Sequence, residues 1–283
     1  MGKVAIVTDS MAYLEPELEP GLDITVVPFT IQIGAKTYRD GVDISREDFF
    51  RHLERDRAAV SLLPPTVEQF QRAYRQVHNR TDQIISLHVS RHLSQALSNA
   101  QRATEFLLGR CQITVLDSLT SSVGLGILAT HAARRAQQGA NLDEVVRVIR
   151  GMIPHVYVVM YTGELSYLER NRHLTQPQAV LGAILGIKPI LFLEDGQIMA
   201  LEKVRTHERA VDKLFEFMAE FSDVAQAAIL QRTLTPTAET KMLLGRLQPL
   251  FPKIKFPIVQ YDPVLAMHIG PSAIGVVVHE SEG

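Results

Sequence analysis

The feature that most constrains the fold is a regular alternation of short β-rich runs with amphipathic helical stretches through the first half of the chain. The β-rich runs are 3–8, 23–29, 83–89 and 112–116. This alternation is typical of βα units, in which each helix returns the chain so that successive strands lie parallel. We therefore expect an α/β protein whose N-terminal part is a mainly parallel sheet with flanking helices.

Local signals predict where the chain turns and where helices begin. The alternation of 30–40 is broken by Gly34, which predicts a hairpin between the second and third runs. Ser45 and Thr66 stand immediately before helical stretches, as N-cap residues do. Gln69 follows Thr66 by three residues and completes the pattern of a capping box.

The second half of the chain begins after an interruption and has a different pattern. A glycine and a proline precede the strand-like run 156–161, which indicates a domain boundary near residue 154. The segment 194–197 is a strong turn signal between two β-rich runs and predicts an antiparallel hairpin. We therefore expect a second α/β domain with a mixed sheet. The two predicted domains are 1–154 and 155–283.

Composition excludes several classes of function. The 283 residues carry 29 basic and 31 acidic side chains, and this net charge of -2 gives no basic field for nucleic acid. Cys111 is the only cysteine, so neither an intramolecular disulfide nor a thiolate metal cluster is expected. No run approaches ~18 consecutive apolar residues. We expect a cytoplasmic protein without stable membrane insertion.

Hydroxyl-rich loops follow the first, third and fourth β-rich runs. They are 8–10, 90–94 and 117–122. Open α/β sheets bind ligands at the carboxyl ends of their strands, so Asp9, Ser94 and Ser118 are candidate ligand-binding residues. The alternative is that the polar residues of these loops cap helices and turns. The loops converge on one sheet edge unless the strand order separates them.

Motifs of known enzyme classes are incomplete. The segment 124–129 matches G-x-G-x-x-A but starts several residues after its strand, which favours a packing glycine near a helix start over dinucleotide binding. Ser94 and His268 could act as nucleophile and base, yet the chain has no G-x-S-x-G motif. His88 and His92 straddle a strand end and are interpreted as structural or surface histidines. We expect no catalytic residues, metal or cofactor.

A set of short segments, each a weak motif alone, extends in order over the whole chain. They are 7–10, 65–70, 93–94, 117–118, 167–168, 187–190, 195–196, 203–205 and 268–271. Together they resemble the DegV family of bacterial fatty-acid-binding proteins. The resemblance implies a two-domain DegV-like fold with lipid bound by the C-terminal domain. It also implies a long acyl chain in a buried tunnel, with the carboxylate at the interdomain cleft.

The resemblance further implies which residues contact the carboxylate. In family members it is held by hydroxyls of a Thr-Ser-Gln-Pro segment and a Leu-Ser-Gly-Thr segment. A histidine of His-x-Gly-Pro-Gly and an arginine after a Gly-Gly pair lie nearby. Ser94 and His268 match two of these positions.

Other positions depart from the family pattern. Leu62 and Leu63 replace the Thr-Ser pair, and Arg172 or His173 is the substitute for the family arginine. Five residues of the second half are candidates for the tunnel wall, with ordinary core as the favoured interpretation. They are Leu165, Val180, Ile184, Leu185 and Phe192.

These observations lead to a non-enzymatic carrier as the main hypothesis. It binds a long-chain fatty acid such as palmitate and presents the carboxylate to a fatty acid kinase for acyl-phosphate formation. One alternative keeps the tunnel but takes another amphiphile, such as an isoprenoid or a neutral lipid, because Leu62 makes the headgroup site drier. Another is an acyl hydrolase using Ser94 and His268, or a phosphoester enzyme using 117–122.

Overall fold

The computed structural model describes residues 3–15 and 22–281. Contacts divide the chain into two units, Met1–Pro154 and His155–Gly283. The N-terminal unit contains two sheets and the C-terminal unit contains one in the described residues, and each unit is described below by itself. Within the described ranges, no helix has both the length and the apolar character needed to cross a membrane.

The N-terminal unit contains a four-stranded parallel sheet with the order β2-β1-β6-β7. Its strands are β1 (Ala5–Asp9), β2 (Ile24–Val27), β6 (Gln83–His88) and β7 (Gln112–Asp117). Each coincides with one of the four β-rich runs, so the predicted parallel sheet is confirmed. The strand order places β1 beside β6 and β6 beside β7, and the three hydroxyl-rich loops therefore follow adjacent strands.

A smaller antiparallel sheet of three strands lies in the same unit. Its strands are β3 (Thr30–Ile33), β4 (Lys36–Arg39) and β5 (Val60–Leu63), in the order β4-β3-β5. The predicted hairpin is confirmed, with Gly34 in the left-handed region at φ 59°. The sequence did not predict β5, because a run of four residues has no resolvable period and its partner β3 is distant in sequence.

Among the described residues of this unit, five α-helices accompany these sheets. They are α1 (Arg46–Arg55), α2 (Val67–His78), α3 (Ala96–Ala103), α4 (Ser122–Gln137) and α5 (Leu142–Met152). The Ser45 hydroxyl accepts a hydrogen bond from the Asp48 amide, and Thr66 forms a capping box with Gln69, so both predicted helix starts are confirmed. On α2, Phe70 and Tyr74 are fully buried.

The C-terminal unit contains a six-stranded mixed sheet with the order β10-β9-β8-β13-β11-β12. Its strands are β8 (Val156–Tyr161), β9 (Lys188–Glu194), β10 (Gln197–Val204), β11 (Val224–Gln231), β12 (Ile258–Gln260) and β13 (Ile274–Glu280). Among the described strands of this unit, only β11 and β12 pair in parallel. The predicted hairpin joins β9 to β10, with Asp195 and Gly196 at positive φ.

The described part of this unit contains five further α-helices. They are α6 (Leu165–Arg170), α7 (Gln176–Ile184), α8 (His207–Ala219), α9 (Ala238–Leu250) and α10 (Pro263–Ile269). Helix α10 was not predicted from the sequence, although its start signal is present: the Asp262 side chain accepts a hydrogen bond from the Leu265 amide, and Pro263 occupies the first helical position. The helix is short and almost wholly buried. It therefore lacks the alternation of apolar and polar faces by which a helix is recognised in a sequence.

Candidate functional site

The hydroxyl-rich loops of the N-terminal unit meet at the carboxyl edge of the parallel sheet. The Ser118 amide donates to the His88 carbonyl at 3.1 Å, and the Ser90 amide donates to the Thr120 carbonyl at 3.0 Å. These bonds tie the loops after β6 and β7 together. The predicted convergence of the loops on one edge is confirmed.

Asp9 is fully buried and joins two of these loops. Its Oδ1 accepts from the Met11 amide at 3.0 Å, and its Oδ2 accepts from the Val89 amide at 3.1 Å. Oδ2 also lies 3.0 Å from Nδ1 of His88. The Asp9 carboxylate is thus hydrogen-bonded to groups of its own unit. The sequence allowed either ligand binding or capping for this residue, and the observed bonds are of the capping kind.

A chain of buried hydrogen bonds continues from Asp9 into the core. Nε2 of His88 lies 2.7 Å from the Ser86 hydroxyl, which lies 2.9 Å from the Tyr74 hydroxyl. Burial raises the pKa of Tyr74 above its ordinary value, so the phenol stays protonated. The order Asp, His, Ser has the connectivity of a hydrolase triad, but all four side chains are fully buried in the core. His88 is therefore a structural histidine, as predicted.

Ser118 and Ser94 lie in different surroundings. Ser118 is fully buried, and its hydroxyl donates to the Thr120 carbonyl at 3.1 Å and accepts from the Thr120 amide at 3.2 Å. Ser94 is half-buried just before α3, where its hydroxyl accepts from the Ala96 amide at 3.2 Å. A serine hydroxyl that accepts one bond still has its own hydrogen to donate. Ser94 is therefore better suited than Ser118 to contact a carboxylate.

Leu62 and Leu63 lie on β5, beside β3. Leu62 pairs with Ile31 and is half-buried, whereas Leu63 pairs with Thr30 and is 46% exposed. Neither side chain can donate a hydrogen bond. This strand therefore presents apolar surface at the position where the family resemblance implies hydroxyls.

In the C-terminal unit, His268 occupies the last turn of α10, whose end is fixed by side chains. The Thr162 hydroxyl donates to the Ile269 carbonyl at 2.8 Å, and the Tyr261 hydroxyl donates to the Gly270 carbonyl at 2.7 Å. Gly270 has φ 86°, and a Cβ there would lie 2.9 Å from the Tyr167 ring. The predicted close approach of the backbone beside the histidine is confirmed.

The loop between α6 and α7 supplies a partner for His268. Nε2 of His173 lies 3.0 Å from Nδ1 of His268, and the ring centroids are 5.3 Å apart. Burial lowers the pKa of His173. The neighbouring Arg172 has an exposed side chain and a left-handed backbone at φ 62°. Of the two substitutes considered for the family arginine, the structure brings His173 to His268.

Helix α7 exposes most of its apolar side chains. Val180 is 53% exposed, Ile184 is 75% exposed and Leu185, just after the helix, is 49% exposed. The interpretation of these three as ordinary core is wrong, because α7 is apolar around most of its circumference and only part of it packs. Leu165 is buried, and Phe192 is half-buried against the core.

Comparisons with known proteins match this chain over nearly its whole length. The family model described as "Uncharacterised protein, DegV family" matches residues 3–281. A DegV domain-containing protein of Listeria monocytogenes is 30% identical over 283 residues, covering 97% of each chain.

Solved structures show the same fold. A DegV family protein of Streptococcus agalactiae, described as fatty acid binding, superimposes with a TM-score of 0.88 at 24% identity and covers 100% of each chain. The fatty acid kinase B3 protein of Streptococcus pneumoniae, loaded with linoleic acid, gives a TM-score of 0.83 at 18% identity, covering 99% of this chain and 100% of the other. The α/β fold and the sequence matches lead to one conclusion: this chain belongs to the DegV family.

Proposed function

We propose that this protein binds a long-chain fatty acid in a buried tunnel and presents the carboxylate to a fatty acid kinase, without catalysing a reaction itself. The observation that carries the proposal is the His268 imidazole, which a hydrogen-bonded turn holds beside His173. The names of the relatives from S. agalactiae and S. pneumoniae support the ligand class and the kinase. Ser94 is the proposed hydroxyl partner of the carboxylate.

The energetics divide between tail and headgroup. Burying ~14 methylenes at ~0.8 kcal/mol each gives on the order of 11 kcal/mol before the costs of ordering ligand and protein. One hydrogen bond to a charged group contributes about 1.5–3 kcal/mol. The tail therefore supplies most of the affinity, and the headgroup contacts set orientation and selectivity.

Identification of the natural ligand tests the proposal directly. Lipid extracted from the purified full-length protein is analysed by mass spectrometry, and we expect a long-chain fatty acid near one equivalent per chain. After delipidation, the protein is expected to take up isotope-labelled palmitate to the same level. A protein that is reproducibly empty, or that carries only polar metabolites, contradicts the proposal.

His268 offers a test of the headgroup role. His268→Ala is expected to lower kinase-dependent acyl-phosphate formation by about 10- to 100-fold, the factor that corresponds to one hydrogen bond to a charged group. Retention of bound palmitate is expected to fall much less, because the tail contacts remain. His92→Ala removes an exposed histidine and serves as the control. Equal losses of turnover and retention would argue against a headgroup role.

A neutral amphiphile is the second candidate ligand, and the apolar surface of β5 favours it. Leu62→Thr restores one hydroxyl at this position. If the protein prefers a neutral headgroup, the variant is expected to shift the competition between palmitate and a long-chain isoprenoid alcohol toward palmitate by about 10-fold or more. Leu63→Thr, on the opposite face of the strand, is the control. Unchanged selectivity in Leu62→Thr rejects this candidate.

A further inference from the structure

We propose that strand β7, at one edge of the described parallel sheet, is the surface through which two copies of this chain form a dimer. Fatty acid binding is not a premise of this inference. Three features of the strand carry it: unused backbone hydrogen-bonding groups, a sequence without the residues that normally prevent edge pairing, and a charge pattern that is complementary to itself when two copies lie antiparallel.

The outer side of β7 has backbone groups that make no hydrogen bond within the described part of the chain. In the described sheet, β7 pairs with β6 on one side only. The Gln112 amide donates to the Asp82 carbonyl at 2.7 Å. Because successive residues of a strand direct their backbone groups to opposite sides, even-numbered residues of β7 face β6 and odd-numbered residues face outward. The amides and carbonyls of Ile113 and Val115 are therefore available to another strand.

The side chains along this edge are accessible too. Ile113, Thr114 and Val115 are each half-buried, although α3 packs against the strand. Leu108, four residues before β7, is 73% exposed. By contrast, β6, the next strand into the sheet, is buried over nearly its whole length. A strand added beside β7 covers apolar and β-branched side chains, and such cross-strand contacts stabilise a sheet.

The chain protects another edge strand in a way that it does not protect β7. Strand β10, at the edge of the mixed sheet, has an irregular register between Ala200 and Glu202 and carries the charges of Glu202 and Lys203. Bulges and charges of this kind prevent edge strands from pairing. The segment 112–116 contains no charged residue and no proline, and its register with β6 is regular. Its edge is therefore open to pairing.

The charges at the ends of β7 favour a second copy in the antiparallel orientation. The exposed Arg110 precedes the strand, and Asp117 ends it. One strand further in, Asp82 precedes β6, and Arg91 follows β6 and contacts the Asp117 carboxylate at 2.6 Å. Across an antiparallel pair the charges alternate in sign, in the order Asp82 and Arg110 of one copy, then Asp117 and Arg91 of the other. A parallel pair instead brings two arginines together.

One register uses the free groups at the centre of the strand. With the two-fold axis at Thr114, Ile113 of each copy lies opposite Val115 of the other as a hydrogen-bonded pair. The two Thr114 residues then form a non-hydrogen-bonded pair, whose Cα atoms are about 4.5 Å apart. A disulfide can span that separation. The register therefore predicts a position at which the two copies can be cross-linked directly.

The oligomeric state of the full chain tests the proposal. Sedimentation velocity over a range of concentrations is expected to show a reversible dimer with a Kd in the micromolar range or tighter. Thr114→Lys places two ammonium groups opposite each other, and we expect it to weaken the dimer by about 100-fold or more, because like charges repel across an interface. Thr114→Ser adds no charge and is expected to leave the dimer intact.

Cross-linking locates the interface and its register. Cys111→Ser removes the natural thiol, and Thr114→Cys in that background is expected to give an intermolecular disulfide when oxidised glutathione accepts the two electrons. Val26→Cys in the same background is the control, because Val26 is 41% exposed on β2, at the opposite edge of the described sheet. Random collision links both variants, whereas pairing through β7 links Thr114→Cys alone.

A chain that stays monomeric at every accessible concentration overturns the proposal. A dimer that Thr114→Lys leaves intact, or in which Thr114→Cys forms no disulfide, also overturns it, because that dimer uses another surface. If Thr114→Lys does not fold, the cross-linking result decides alone. Lipid extraction identifies the ligand in either oligomeric state, so failure of the dimer and failure of the proposed function are distinguishable.

Discussion

Replacing Asp9 with alanine is expected to lower the free energy of unfolding of the N-terminal unit by about 3–5 kcal/mol. The carboxylate accepts from the amides of Met11 and Val89 and contacts the His88 ring, all in the core. Alanine leaves those donors buried without an acceptor, and each costs about 1–3 kcal/mol. Urea denaturation followed by circular dichroism, with hydrogen exchange of the β1 and β6 amides, measures the loss in this unit.

Graded variants test whether hydrogen bonding causes this loss. Asp9→Asn keeps one acceptor oxygen and is expected to lose less than Asp9→Ala. Asp43→Ala serves as the surface control, since its partner Arg39 is exposed and lowers the pKa of Asp43 to about 2 without burying either charge. We expect only a small change there. A loss for Asp9→Ala no larger than that for Asp43→Ala contradicts the core role.

Several polar groups that the sequence predicted at the hydroxyl-rich edge of the sheet are already hydrogen-bonded within their own unit. Asp9 bonds to three groups of its own unit, and Ser118 bonds twice to Thr120. Polar groups at such an edge must be satisfied before any ligand arrives, because buried unpaired donors and acceptors are costly. Among the sequence-predicted polar residues of this unit, Ser94 is the one that is half-buried and still has a hydroxyl hydrogen to donate.

Most helices and strands could be predicted from the sequence, because their start, turn and periodicity signals lie within a few neighbouring residues. The capping box at Thr66 and the turn at Gly34 are each fixed by residues a few positions apart. The order of the strands is different, since it depends on how the crossover helices pack. The sequence therefore predicted that the loops converge only if the strand order does not separate them. The order β2-β1-β6-β7 meets this condition, because it places β1, β6 and β7 side by side.

The contacts that the sequence did not predict join segments that are distant along the chain. Ser86 and Tyr74 are joined to Asp9 through His88, which is 79 positions away from Asp9. His173 meets His268 across 95 positions. No local period reveals such pairs. The alternation of Ser86 and His88 on one face of a buried strand was the only available signal, because polar side chains in a strand core require partners.

Gly126→Ala is expected to destabilise the N-terminal unit by about 3 kcal/mol or more, although alanine is the better helix former. Gly126 lies inside α4, and a Cβ there would stand 1.8 Å from the Tyr13 carbonyl oxygen. That atom belongs to the backbone, and the Tyr13 amide also donates to the Ser122 carbonyl at 3.0 Å. An alanine at position 126 therefore forces α4 away from the backbone at Tyr13. This contact confirms the interpretation of the G-x-G-x-x-A match as a packing glycine.

A second helical glycine gives this prediction a control of opposite sign. Gly245 lies inside α9, and a Cβ there would meet nothing within 4 Å. Gly245→Ala is expected to stabilise the C-terminal unit by up to about 1 kcal/mol, since only helix propensity acts. Denaturation of both variants compares a steric effect with a propensity effect on the same substitution. If Gly126→Ala is also stabilising, the close packing of α4 against Tyr13 is wrong, and the dinucleotide-type interpretation of this segment must be reopened.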